Sequence, residues 1–258
     1  MIKRDDLIKF IYQTIGRDLL AKAFKIDEVA NGVQILGKEE VNKVALGVSL
    51  NEEFLKEAVR RGADFCIFHH GLDPRTVKSR FPLSFQKRLR TIFQNNLTVA
   101  GFHYSLDAHP LIGNNATIIK KLGAKIVDSL YEEWGFAARF PAVQDVRKLR
   151  DKCQELFNHN VLAFFAGPQK VKTIGVVSGA GVPHAQYLPE MEDKGVELFI
   201  SGETHESCPH KMKESGINYF VCGHYQTEVF GVQELGKKIK ARFKDRLKVE
   251  FINIPNPI

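Results

Sequence analysis

The chain is poor in cysteine and has no long apolar run, and each absence narrows what it can be. Its four cysteines, Cys66, Cys153, Cys208 and Cys222, stand far apart with no Cys-x-x-Cys pair. That spacing argues against a disulfide framework and against a structural zinc knuckle. No stretch of about 18 apolar residues occurs, so no membrane span is expected. The opening Met-Ile-Lys-Arg-Asp-Asp lacks the apolar core and small-residue cleavage site of a secretory leader, so a cytoplasmic protein is expected. Neither a Gly-x-Gly-x-x-Gly fingerprint nor a P-loop follows a strand, which removes the commonest nucleotide-binding loops.

What is present describes a globular chain of 258 residues, 44% hydrophobic and 26% charged. That length suffices for one large domain or two smaller ones with real cores. The formal net charge of +7 suits acidic partners such as nucleotides, nucleic acids or phosphorylated metabolites. Basic residues are densest at Lys237-Lys238-Ile239-Lys240-Ala241-Arg242, where the plainer reading is a solvated helix face.

Strand-like and helix-like segments alternate, as in an α/β protein with a parallel or mixed sheet. Val44 to Leu50 reads as a buried strand, and Asn51 then opens a helix with Glu52 and Glu53 in its first turn. Asp64 to Phe68 and Leu97 to Phe102 are two further strands, separated by a basic helix over about Pro82 to Asn95. Asn114 to Leu122 reads as a helix closed by Gly123. A middle segment holds the alternating Trp134-Gly-Phe-Ala-Ala-Arg-Phe140 and an amphipathic helix near Val143 to Leu156. The order then repeats: Thr173 to Ser178 matches Val44 to Ser49, Glu197 to Ser201 matches Asp64 to Phe68, and Asn218 to Cys222 matches Leu97 to Phe102. A glycine opens the second strand of each copy, in Gly62-Ala-Asp-Phe and Gly195-Val-Glu-Leu. We therefore expect halves over about 1–127 and 168–258 joined by 128–167.

The repeat reaches the polar residues. His103-Tyr104-Ser105-Leu106-Asp107 follows the third strand of the first copy, and His224-Tyr225-Gln226-Thr227-Glu228 follows its counterpart. Ligands of open α/β sheets bind beyond the carboxyl ends of strands, and both motifs fall there, with His69-His70-Gly71. Neighbouring side chains on a strand point to opposite faces, so His69 and His70 can serve one centre only if the chain is already turning. Gly71-Leu72-Asp73-Pro74 supplies turn residues for that. Imidazole with carboxylate and no thiolate suits zinc, iron, manganese or nickel. Two carboxylates also suit a pair of cations, because a carboxylate can bridge them and offset their repulsion.

Other histidines, His109, His159, His184 and His210, read as ordinary core or surface groups. Cys66 and Cys222 read as buried small hydrophobes, and Cys208 as an exposed residue without a nucleophile's surroundings. Ser201-Gly202-Glu203-Thr204-His205 stands where the second copy should mirror Phe68-His69-His70, but it lacks the histidine pair. Glu203 and His205 are candidates for acid–base groups facing the same cavity.

Asn31-Gly32-Val33-Gln34, Phe68-His69-His70-Gly71, His103 to Asp107, Ser201-Gly202-Glu203 and Gly223 to Glu228 together resemble the NIF3-like family, in that family's order along nearly the whole chain. The chain looks like a short member without an inserted middle domain. The resemblance implies two intertwined α/β subdomains with mixed sheets flanked by helices, and homohexamers. It implies that His69, His70, Asp107, His224 and Glu228 bind two divalent ions, with His103 close by. One departure is Tyr104-Ser105, where members often carry Thr-Asn; it touches no ligand position. Some members are labelled GTP cyclohydrolase type 2, while others are described only as metal-binding or regulatory. The expected activity is thus metal-dependent hydrolysis of a nucleotide-like or phosphorylated small molecule, with His103, Glu203 or His205 moving protons. The alternatives are a metal-binding scaffold without catalysis, and nucleic-acid binding through basic surfaces.

Overall fold

The computed structural model describes residues 1–73 and 80–258, so Pro74 of the turn motif lies outside the described residues. The chain folds as two compact units. The first takes Met1–Leu106 and Gly231–Ile254, and the second takes Asp107–Phe230 and Pro255–Ile258. The chain thus leaves the first unit, builds the second and returns.

The first unit opens with β1 (Ile2–Lys3), α1 (Arg4–Ile15), α2 (Arg17–Ile26), β2 (Asn31–Ile35) and β3 (Glu40–Val41). It continues through β4 (Lys43–Ser49), α3 (Glu52–Arg60), β5 (Phe65–His70), α4 (Leu83–Gln94), β6 (Thr98–Phe102) and α5 (Tyr104–Asp107), whose last residue begins the second unit. In the second follow α6 (Asn114–Leu122), β7 (Lys125–Leu130), β8 (Gly135–Asp145), α7 (Val146–Phe157), β9 (Leu162–Phe164) and β10 (Lys170–Val177). Then come α8 (Leu188–Asp193), β11 (Leu198–Ser201), α9 (Cys208–Glu214), β12 (Asn218–Val221) and α10 (His224–Phe243), which passes back into the first unit ahead of β13 (Lys248–Phe251).

The first unit's main sheet runs β13-β4-β5-β6-β2, with only β2 antiparallel to its neighbour. Its central strands are buried on both faces, as parallel strands between helices are. The sequence supplies the helix starts: Asn51 Oδ1 accepts the Phe54 N–H at 2.8 Å at the head of α3. A core of Phe54, Leu55, Phe68, Ile92 and Val99 lies between this sheet and α3 and α4. The second unit's sheet runs β7-β8-β10-β11-β12-β9, parallel over β10, β11 and β12 and antiparallel outside them. Asp145 caps α7 through the N–H groups of Arg147 and Lys148, and Asn158 closes it in the left-handed region at φ 47°.

The duplicated glycines have matching work. Gly62 and Gly195 sit at φ 72° and 63°, directly after α3 and α8, where a left-handed residue releases the chain into the next strand. The acids two positions on also match. Asp64 Oδ2 accepts the Asn42 N–H at 2.9 Å, and Glu197 Oε2 accepts the Lys172 and Thr173 N–H groups at 2.6 and 2.9 Å. Each carboxylate ties the start of one strand to the start of its neighbour. Among the described residues, no helix is long and apolar enough to cross a membrane. Cys208 is buried, against the exposure expected from sequence, because α9 turns it under Met212 and Tyr219.

Candidate metal centre

In the first unit the histidine pair lies in β5 itself. The strand runs through His70, whose register partner is Ser49, so the expected turn begins one residue later, at Gly71. The two rings nevertheless converge, with centroids 4.7 Å apart. Ladder pairing of β5 with β6 stops at Phe68 opposite Gly101, so the end of β5 is held from one side only and can twist. His103, just after β6, completes a group of three: its ring centroid is 4.9 Å from that of His69 and 5.4 Å from that of His70. One nitrogen from each of the three lies within 4.8 Å of the others, a spacing that could hold a metal ion.

What each Nδ1 touches decides which nitrogen can bind. His69, fully buried, donates from Nδ1 to the Phe102 carbonyl at 3.0 Å. His103 donates from Nδ1 to Asp27 Oδ2 at 2.9 Å. Neither a carbonyl nor an ionised carboxylate can donate, so the neutral rings carry their proton on Nδ1 and their lone pair on Nε2. That is the tautomer of a metal-binding imidazole held from behind. His70 Nδ1 lies 3.0 Å from Ser49 Oγ.

Asp27 was not anticipated from sequence. It bonds His103 and also accepts N–H groups from Val29 and Tyr104 and the side-chain amide of Asn31. Burial opposes its ionisation, but the hydrogen bond and charge of His103, with the two backbone donors, hold its pKa at about 2 against 3.8. Asn31 in turn accepts the Ser105 N–H at 2.9 Å. Gln34 grips the chain beyond the histidine pair, accepting the Leu72 N–H at 2.8 Å and donating to its carbonyl at 2.7 Å. The Asn31-Gly32-Val33-Gln34 motif therefore fixes both segments that carry the histidines.

A depressed carboxylate stabilises the fold above its unfolded pKa and loses that contribution as pH falls through the folded value. Asp27→Asn should therefore cost the metal-free protein about 2 kcal/mol near pH 7. The gap to wild type should close between pH 3.8 and about 2. Denaturant melts across that range measure it, and a gap that stays constant with pH would refute it.

In the second unit, Asp107 is buried, and its Oδ1 accepts from Asn114 Nδ2 and Ser178 Oγ, both at 2.8 Å. Asn115 braces the same corner by accepting the Ser178 N–H at 2.7 Å. His224 and Glu228 stand one turn apart on α10, with His224 Nε2 3.1 Å from Glu228 Oε2. The other ring nitrogen, Nδ1, meets Glu203 Oε1. Burial alone would lower the His224 pKa, but the hydrogen bonds and charges of Glu228 and then Glu203 outweigh it and raise it to about 9. Gly179, at φ 59°, lets this cluster close: a Cβ there would collide with Glu228 Oε1 and sit 3.2 Å from His224 Nε2. Thr227 secures the turn, accepting the Gly179 N–H and donating to the Gly223 carbonyl, both at 2.9 Å.

Of the acid–base candidates, His103 joins the first unit's histidines and Glu203 binds His224. His205 does not join the Glu203–His224 pair: it is exposed, its ring 6.0 Å from that of His184.

The fold and these side chains define a duplicated α/β protein whose strand ends carry histidine, aspartate and glutamate groups able to hold metal. The family described as Duf34/NIF3 (NGG1p interacting factor 3) matches residues 3–257, and the chain belongs to that family. A relative from Archaeoglobus fulgidus, named GTP cyclohydrolase 1 type 2 homolog, is 35% identical over 87% of this chain and 89% of its own. Among solved structures, the protein ybgI, of unknown function, superposes with a TM-score of 0.88 at 29% identity. TTHA1606 from Thermus thermophilus gives 0.85 at 31%. Both comparisons cover all of each chain.

Proposed function

We propose that His69, His70, Asp107, His224 and Glu228 together hold two divalent ions, and that the protein is a metal-dependent hydrolase of a nucleotide-like or phosphorylated small molecule. The observation that carries the reading is the group of three imidazoles at the end of β5 and β6, with His69 fixed as an Nε2 donor and His103 beside the pair. Two carboxylates complete the proposed set. Both are buried, and burying a carboxylate is costly, a cost that a cation offsets. The set suits zinc, iron, manganese or nickel. Five protein ligands for two ions leave positions for water and substrate, as catalytic sites require.

Bound ions would supply Lewis-acid polarisation and a water acidified toward neutral pH. The chain's own residues do the rest. Glu203 holds the Nδ1 proton of His224 and so aims its Nε2. His103, its Nδ1 proton held by Asp27, presents Nε2 as the first proposed proton carrier. Glu203 and His205 are the other proposed proton carriers. The name borne by the A. fulgidus relative makes GTP the first substrate to try. A cytoplasmic homohexamer belongs to the same proposal.

The test is turnover of a nucleotide panel by protein loaded with each candidate metal. Hydrolysis should stop with chelator and fall at least about a hundredfold in Asp107→Ala, more than loss of a supporting group costs. Wild type that hydrolyses no nucleotide with any metal would overturn the enzymatic half of the proposal.

A further inference from the structure

The first unit carries a second feature that the metal chemistry does not use. A groove of about 570 Å³ runs beside α1, lined by Lys3, Lys9, Phe10, Arg242, Phe243 and Arg246 among others. A second hollow of about 340 Å³ continues from it, sharing Lys9 and Gln13 and ending at Arg17 and Phe24. The pattern comes from the sequence: Asp6, Phe10 and Gln13 recur at helical spacing on α1, with Lys3 before it and Arg17 after. Leu7, Ile11 and Ile15 turn the other way, into the core.

Five cations face this track against one carboxylate, Asp6. Lys3 has a partner in Glu40 at 3.2 Å, but both side chains are half exposed or more, so the pair is weak. Arg242 and Arg246 are held over the Phe243 ring at 5.5 and 5.9 Å, which fixes their heads at the groove. Aromatic residues stand among the cations. Phe10 packs edge-on against Phe243 at 5.5 Å, Tyr12 lines the second hollow, and Phe24 there is 67% exposed. The helix beside the track is about 18 Å long, roughly five nucleotides of a stacked strand at 3.4 Å each.

We infer that this track binds single-stranded nucleic acid, the phosphates lying along the lysines and arginines and bases resting on the aromatic side chains. A free nucleotide would occupy only one of the two hollows. A duplex hides the base faces that exposed rings such as Phe24 would stack on, so the aromatic content favours a single strand.

The test uses the full chain and a fluorescent oligo-dT of about a dozen nucleotides. If four phosphates are neutralised, binding should weaken about 50-fold between roughly 50 and 200 mM salt. The double variant Lys9→Glu with Arg242→Glu should bind at least about tenfold more weakly, with a salt slope shallower by about 1.4. Phe24→Ala should weaken binding about fivefold and leave the slope unchanged, which a purely electrostatic surface would not do. No binding at the lower salt would overturn the inference. So would variants that bind like wild type, or a duplex of equal length bound as tightly with Phe24→Ala silent.

Discussion

Glu228→Ala is expected to hold at most about one divalent ion per chain, and to change how stability depends on pH. The first effect follows from charge. Two cations in one site repel, and a carboxylate offsets that repulsion where a neutral imidazole cannot. The second follows from His224. Its pKa of about 9 stands above the ordinary 6.5 because Glu228 and Glu203 outweigh the cost of burial. A raised histidine stabilises the fold fully below pH 6.5 and loses that contribution as pH rises through about 9. In metal-free protein this contribution is on the order of 3 kcal/mol. Glu228→Ala should forfeit a large part of it near pH 6, with the gap to wild type narrowing above pH 9. Metal reverses the dependence, because a metal needs the imidazole neutral and must displace its proton. Affinity of wild type should therefore rise with pH up to about 9. Melts with and without metal, across pH, separate the two effects; a gap that widens with pH in metal-free protein would contradict this reading.

Phe54→Ala should destabilise the protein by about 3–5 kcal/mol without altering its metal content when folded. The ring is 1% exposed and meets Phe68 edge-on at 4.6 Å. It also covers Gly47 of β4 so closely that a Cβ there would collide with it. Close packing on both sides leaves little room to collapse, so the cavity persists. For a chain of this size the loss should lower the melting temperature by about 6–20 °C. A drop of only a degree or two would mean that the site repacks.

Much of the fold was legible because duplication doubled its signals. Buried strand runs, the Asn51 cap, the Gly123 stop and the paired glycines Gly62 and Gly195 are local features, and all are found in place. The histidine pair stands at a strand end, as its place before Gly71 implies, but the turn comes a residue later than expected. Strand alternation assumes neighbours on both sides, and β5 has lost β6 by His69. Asp27 is invisible in the sequence for a different reason. It lies 76 residues before His103, in a segment with no motif of its own, and only folding brings them together. Asn31 and Gln34 belong to a visible motif, but their work is hydrogen bonding, mostly to backbone and in Asn31 also to Asp27, which no side-chain pattern records. The crossings between units fall inside α5 and α10, where no change of composition marks them.

Two ions per chain are proposed, with His69, His70, Asp107, His224 and Glu228 as their ligands. The decisive measurement is metal content per chain in wild type, Asp107→Ala and Glu228→Ala after loading and removal of loose ions. Wild type should hold about two ions and each variant about one or fewer. One ion or none in wild type, with both variants holding as much, would contradict the proposal.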